Sequence, residues 1–159
     1  MHRRLSPLFA LLALSLMALP AHAGEPTAPP FTLRSLDGRL VRLSDYRGKA
    51  VVLDFWATWC KPCRASMPHL NTMQDRFSGR LVVVGVSIDD GGTSAVKRFA
   101  DDLGIKFKVA MADERVLDAY GPIRSIPTTF FINRRGEIAR RVVGYIDAET
   151  MESYVKELF

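Results

Sequence analysis

Cys60 and Cys63 are the only cysteines in the chain, and they stand three positions apart in the stretch DFWATWCKPCRASMP, Asp54 to Pro68. That spacing suits three kinds of chemistry: a stabilising crosslink, half of a metal site, or a dithiol that opens and closes. A crosslink between them closes a very small loop, which chain-entropy reasoning places at the low end, roughly 2 kcal/mol before strain. A structural zinc site takes four ligands, mostly cysteine and histidine. The other candidates are His2, His22 and His69, and no carboxylates are spaced to complete a set. Haem attachment through Cys-x-x-Cys-His fails because Arg64 follows Cys63. No metal is expected, and no cofactor beyond a redox-active Cys60–Cys63 disulfide.

The redox reading accounts for more of the surroundings. Ala50 to Ala57 is a continuous apolar run of the kind that forms a strand buried on both faces. Met67, Leu70, Met73 and Phe77 then recur at helical spacing. The pair therefore sits where a strand ends and a helix begins. Unpaired backbone N–H groups and the helix dipole favour an anion there, and a thiolate at Cys60 is such an anion. Cysteine pKa values in such settings fall from about 8.5 to about 3.5–7.5. Pro62 suits the first helical turn, where a missing N–H costs little, and Lys61 adds a nearby positive charge. Cys63, one turn in, is expected to be more buried and to reach Cys60 but not a bulky substrate. Asp54 is an acid inside an apolar strand, which is costly without a partner or a task. The plain alternative is a strand-edge aspartate reaching water.

The elements that must position this pair follow from the pattern. Two short alternating runs around Asp37-Gly38 signal a hairpin. Leu81 to Ser87 is a second buried strand, joined to the first by the helix, so a parallel crossover is expected. Val96, Phe99, Ala100 and Leu103 mark another helix, ending at Gly104. Further on come FKVAMA as a strand, ERVLDAY as a helix, TTFFIN and IARRVVGY as a hairpin, and a last helix capped by Asp147. Together they predict an α/β domain with a central mixed β-sheet and helices on both faces.

The first 23 residues read as a targeting segment. A basic start, Arg3 and Arg4, precedes the twelve-residue apolar run Leu8–Leu19 and small residues at Ala21 and Ala23. That is the layout of a secretory signal cleaved after about Ala23. A membrane-spanning helix takes about 20 apolar residues, so no permanent anchor is expected. Residues 24–30, GEPTAPP, read as a flexible lead-in to a domain over 31–159. The net charge of +5 falls to about +3 without Arg3 and Arg4. The densest basic feature, Arg134, Arg135, Arg140 and Arg141, reads as a solvated hairpin surface. A nucleic-acid footprint is denser and interleaved with aromatics, so no nucleic-acid partner is expected.

The stretch LDFWATWCKPCRASMP resembles the thioredoxins, and IPTTFFIN and VVGY resemble that family's Ile-cis-Pro segment and last strand. The exported TlpA/ResA-like branch is similar further out, through PPFTLRSLDGRLVRLSDYRGKAVVLDFWATWC. The resemblance implies a thioredoxin-like fold with an N-terminal β-hairpin and a central strand-helix insert between Ile88 and Ile126. It implies Cys60 as the attacking thiolate, Cys63 as the resolving cysteine, and Asp54 as the proton acceptor beneath Cys63. It implies a cis bond at Pro127, which would turn the Ile126 backbone towards Cys60 for substrate pairing and keep metal off the dithiol. Trp59 would shield the disulfide and offer an apolar docking surface, Gly144 would leave room for substrate, and Lys61 and Pro62 would modulate the pair. Trp56 is core or site, His69 a surface residue of the helix, and Pro68 a source of a kink. Several relatives carry a glutamate where this chain has Ser66, so tuning by that residue does not transfer.

A dithiol can reduce or oxidise. The branch implies a reductant of exported proteins, including those awaiting haem or copper, recharged by a membrane thiol donor. The chain lacks Gly-x-Gly-x-x-Gly, so it is not expected to take electrons from a nicotinamide or flavin. The rivals are a disulfide-forming oxidase of the same fold, a thiol peroxidase, and a copper or assembly chaperone using Cys60 and Cys63 as soft ligands. Peroxidases of related fold carry Thr-x-x-Cys, and Ala57 stands at that threonine position.

Overall fold

A computed structural model describes residues 25–159, so the proposed signal segment lies outside the described residues. The strands β1 (Thr32–Arg34) and β2 (Leu40–Arg42) form the N-terminal hairpin, followed by a 3-10 turn at Leu43–Tyr46. Gly38 takes φ +82° in its turn, a conformation that favours glycine. Next come β3 (Ala50–Trp56), α1 (Lys61–Arg76), β4 (Leu81–Ser87), α2 (Thr93–Asp102), β5 (Lys108–Met111) and α3 (Glu114–Tyr120). The chain closes with β6 (Thr128–Ile132), β7 (Ile138–Val143) and α4 (Ala148–Lys156).

Strands β5-β4-β3-β6-β7 make one five-stranded mixed sheet in that spatial order. The β3–β4 and β4–β5 pairs are parallel and the β3–β6 and β6–β7 pairs antiparallel. All seven residues of central β3 are buried, as an unbroken apolar run requires. Alternation divides them: Ala50, Val52 and Trp56 face one core, and Val51, Leu53 and Phe55 face the other. The first core is closed by α1, α2 and α4 through residues such as Met67, Leu70, Val96 and Met151. The second is closed by α3 and the hairpin through Val116, Tyr120, Leu33 and Val41. Helices therefore cover both faces, three against one, and the hairpin fills the remainder of the second face.

Between β4 and β6 lie α2, β5 and α3, in the region where a strand-helix insert was expected. Helix α1 continues through Pro68 without a break. Residues 25–30 differ from the expected flexible lead-in. Ala28 is buried, its N–H donates to the Gly136 carbonyl, and Ile138 N–H donates to the Pro26 carbonyl. Tyr120 Oη donates to the Pro29 carbonyl at 2.7 Å. The lead-in docks because the start of β7 and the Tyr120 hydroxyl offer backbone partners, which composition does not reveal. Among the described residues, no helix is long and apolar enough to cross a membrane.

Candidate functional site

β3 ends at Trp56, and four residues carry the chain over to α1. Cys60 is the N-cap of α1, in an extended conformation, and its Sγ accepts the Cys63 N–H at 3.2 Å. Pro62 lies within the first turn, where it removes no helical hydrogen bond. Lys61 and Pro62 are exposed. Cys60 and Cys63 are joined by a disulfide. Cys60 is 5% exposed and Cys63 fully buried, so the first cysteine keeps slight contact with solvent and the second has none. On reduction, the N-terminal amides of the sixteen-residue α1 lie next to the Cys60 sulfur, where they favour the thiolate.

Across from the sulfur, the Ile126–Pro127 bond is cis. The Cys60 Sγ lies 3.7 Å from the Ile126 carbonyl oxygen, which brings the two sequence-distant segments together. Gly144, at φ +100°, donates its N–H to the Pro127 carbonyl at 2.8 Å and holds the loop. A side chain at Gly144 would meet open space, so backbone conformation rather than crowding favours glycine there. Trp59 stands at the rim, 69% exposed.

Asp54 is 1% exposed, so it is not a strand-edge residue reaching water. It lies on β3 between Val52 and Trp56, which pack in one cluster with Cys63. Thr129, its partner across the β3–β6 pair, donates its hydroxyl to Asp54 Oδ1 at 2.7 Å. The other oxygen, Oδ2, has no partner among the described residues. Burial pushes the Asp54 carboxyl up to about 7, and the Thr129 bond only partly offsets it. Such a group exchanges protons near neutrality.

One participant was not foreseen. Asp89, just past β4, accepts from the Thr58 N–H at 3.0 Å and from the Ser87 hydroxyl at 2.8 Å. It also accepts from the Thr58 hydroxyl at 2.5 Å, and so clamps the loop that delivers Trp59 and Cys60. No local pattern announces a loop carboxylate reaching back 31 positions. Trp56 is wholly buried and packs on Phe99, ring centroids 5.5 Å apart. His69 lies half-buried at the surface of α1, where its Nε2 hydrogen-bonds Tyr145 Oη at 2.9 Å and ties α1 to the segment after Gly144. Ser66 is buried and donates back to the Pro62 carbonyl at 3.2 Å. The Gly121–Pro122 bond is also cis, which the sequence reading did not anticipate.

Among the described residues, no group of three or more His, Cys, Asp or Glu could hold a metal ion. A cavity of about 300 Å³ lined by Tyr46, Arg47, Ile132 and Arg134 lies at the far end of the sheet from the cysteines and takes no part in this site. The arrangement is thus a near-buried disulfide whose first cysteine keeps slight exposure, a fully buried second cysteine and an isolated buried acid on the same face.

Comparison with known proteins agrees. The AhpC/TSA family matches residues 25–141. The thiol-disulfide oxidoreductase ResA of Geobacillus kaustophilus is 37% identical over 134 residues, covering 83% of this chain and 76% of that protein. The thioredoxin-like protein YneN of Bacillus subtilis is 37% identical over 127 residues, covering 79% and 74%. In three dimensions the chain is similar to a thiol:disulfide interchange protein of the thioredoxin family from Chlorobium tepidum, with TM-score 0.80, 30% identity and 87% and 99% coverage. It is similar also to the exposed lipoprotein thioredoxin Etrx1 of Streptococcus pneumoniae, with TM-score 0.72, 32% identity and 82% and 100% coverage. A near-buried Cys-x-x-Cys disulfide on this fold, with relatives of this kind across most of its length, places the chain in the AhpC/TSA family as a thiol-disulfide oxidoreductase.

Proposed function

We propose that the protein is an exported protein-disulfide reductase that opens disulfides in periplasmic proteins by exchange through Cys60 and Cys63. The observation that carries this reading is the unequal burial of the two cysteines, with Cys60 at the start of α1 beside the Ile126 carbonyl. In the reduced enzyme the Cys60 thiolate attacks one sulfur of a substrate disulfide. A mixed disulfide forms, and the other substrate sulfur leaves as a thiolate that takes a proton from water. Cys63 then gives its proton to Asp54 and its sulfur attacks Cys60. The Cys60–substrate bond breaks, the substrate sulfur leaves with the electron pair, and the enzyme is left oxidised.

The backbone of Ile126 pairs with an extended substrate segment in strand fashion, Trp59 offers it an apolar docking surface, Gly144 leaves room for it, and Pro127 sets the path of the loop. Lys61 and Pro62 adjust the reactivity of Cys60 from the first turn of α1. Targets that need free cysteines, such as apoproteins awaiting covalent haem or copper, suit a reductant in an oxidising compartment. A membrane thiol donor returns two electrons after each cycle. Export rests on the leader pattern of residues 1–23.

The test is a Cys63→Ser variant, which leaves Cys60 able to attack but nothing to release the adduct. Expressed with its leader, it is expected to accumulate mixed disulfides with periplasmic proteins that a small thiol releases. Absence of such adducts, together with no reduction of insulin by the wild-type protein, overturns the proposal. Copper co-purifying with the wild type would favour the chaperone reading instead. A reduction potential near about −250 mV or lower supports a reductant, whereas one near about −120 mV supports an oxidase.

A further inference from the structure

The proposed exchange needs a base for the Cys63 proton, and the surroundings of Asp54 say which of its atoms is available. Asp54 is the one carboxyl among the buried residues described. None of the helices closing that face sends a charged group into the core: α1 contributes Cys63, Met67 and Leu70, α2 Val96, and α4 Met151. On the sheet itself Asp54 lies between Gly85 of β4 and Thr129 of β6. Glycine offers no side chain, so the Thr129 hydroxyl is the one protein donor that Asp54 receives. Cys63 lies on the same face of the sheet, packed in one cluster with Val52 and Trp56, the residues two before and two after Asp54.

Resting on the reading of Asp54 as proton acceptor, we infer that Thr129 is a positioning residue for disulfide exchange: its hydroxyl pins Asp54 Oδ1 and leaves Oδ2 as the oxygen that takes the Cys63 proton. Three observations carry this. Thr129 is 2% exposed, and a valine would fill the same volume in a buried strand with no hydroxyl to desolvate. Its hydroxyl bonds Asp54 across the strand pair at 2.7 Å, whereas Oδ2 is buried without a partner among the described residues. The adjacent Thr128 cannot substitute, because strand alternation turns it to the other face, where it donates to the Ser125 carbonyl at 2.6 Å. Thr129 also stands two residues beyond cis Pro127, so one strand joins the substrate loop to the proton acceptor.

The step to measure is the resolution of a mixed disulfide. Reduced enzyme is mixed with dithiobis-nitrobenzoate. Cys60 attack releases one thionitrobenzoate, and Cys63 attack on Cys60 releases the second in a slower phase, read by absorbance across pH. In the wild type this phase is expected to rise with pH as Asp54 loses its proton. Thr129→Val removes the bond that favours the carboxylate, so its midpoint is expected to rise by about one pH unit, making the phase about tenfold slower on the acid side. Thr129→Ser keeps a hydroxyl and is expected to restore the wild-type midpoint. In an Asp54→Asn background, Thr129→Val is expected to change nothing further. Should the valine variant not fold, Thr129→Ala carries the same expectation, read also from the titration of the Asp54 carboxyl carbon. If Asp54→Asn alters the phase while loss of the Thr129 hydroxyl leaves the midpoint in place, the positioning role is overturned and the Asp54 reading stands. If Asp54→Asn leaves the phase and its pH dependence as in the wild type, the proton-acceptor reading falls and the Thr129 role with it.

Discussion

A carboxyl sealed inside a sheet is a cost as well as a tool, and Asp54 makes both measurable. Its proton affinity rises from an ordinary 3.8 to about 7 on folding, chiefly through burial. Below the lower value both folded and unfolded chains are protonated. Between the two values the fold keeps a proton that the unfolded chain releases, so stability falls as pH rises through this window and levels off above about 7. The loss is on the order of 4 kcal/mol as an upper bound. Denaturation of the oxidised protein at a series of pH values is expected to show this slope, and Asp54→Asn is expected to flatten it and to be the more stable protein above neutrality. At this scale Cys60, Cys63 and Asp54 were legible because their types conflict with their settings: thiols at a helix start, an acid in an apolar strand. Thr129 was not, since a threonine in a strand is ordinary until its register across from Asp54 is known. Asp89 was not, since its meaning lies in a loop that only the fold brings alongside.

Among the elements, β4 shows how tightly the floor of the site is packed. Gly85 faces the first core opposite Asp54, and a methyl group there would lie 2.8 Å from the Trp56 indole nitrogen and 2.9 Å from the Phe107 ring. Both rings are buried, so neither has an easy way to retreat. Gly85→Ala is expected to cost about 1–3 kcal/mol in denaturant unfolding. Gly91→Ala, where a methyl group meets open space, is expected to change stability by less than about 0.5 kcal/mol. Apolar runs, turn signals and helical spacing made the strands and α-helices legible, though not the 3-10 turn at Leu43–Tyr46. The three-against-one division of helices was not, because an amphipathic stripe says that a helix covers the sheet but not which face it covers. The docking of residues 26–29 escaped for a related reason, since a Pro-rich segment shows no period even when its backbone is bonded.

Taken as one body, the molecule shows its apolar surface unevenly. Among the described residues, four large hydrophobic side chains are exposed, namely Leu40, Trp59, Val143 and Tyr145. Three of them lie by the disulfide: Trp59 directly precedes Cys60, and Val143 and Tyr145 flank the glycine that holds the Pro127 loop. Exposed apolar groups gathered around a reactive sulfur favour polypeptide over small disulfides. Trp59→Ala is expected to lower kcat/KM for insulin about tenfold, in line with loss of a central aromatic contact. The same variant is expected to keep the wild-type rate with dithiobis-nitrobenzoate and nearly the wild-type Tm. An equal loss on both substrates would instead place Trp59 in the chemistry of the sulfur.

The bonded lead-in has a practical bearing. β6 starts next to the cis-proline loop and runs about 15 Å away from it, and residues 26–28 are fastened where it turns back into β7. Anything spliced ahead of Glu25, whether a purification handle, a surface linker or a lipid, therefore emerges from the pole remote from the sulfurs. Immobilised by that end, the enzyme turns its working face outward to the solution.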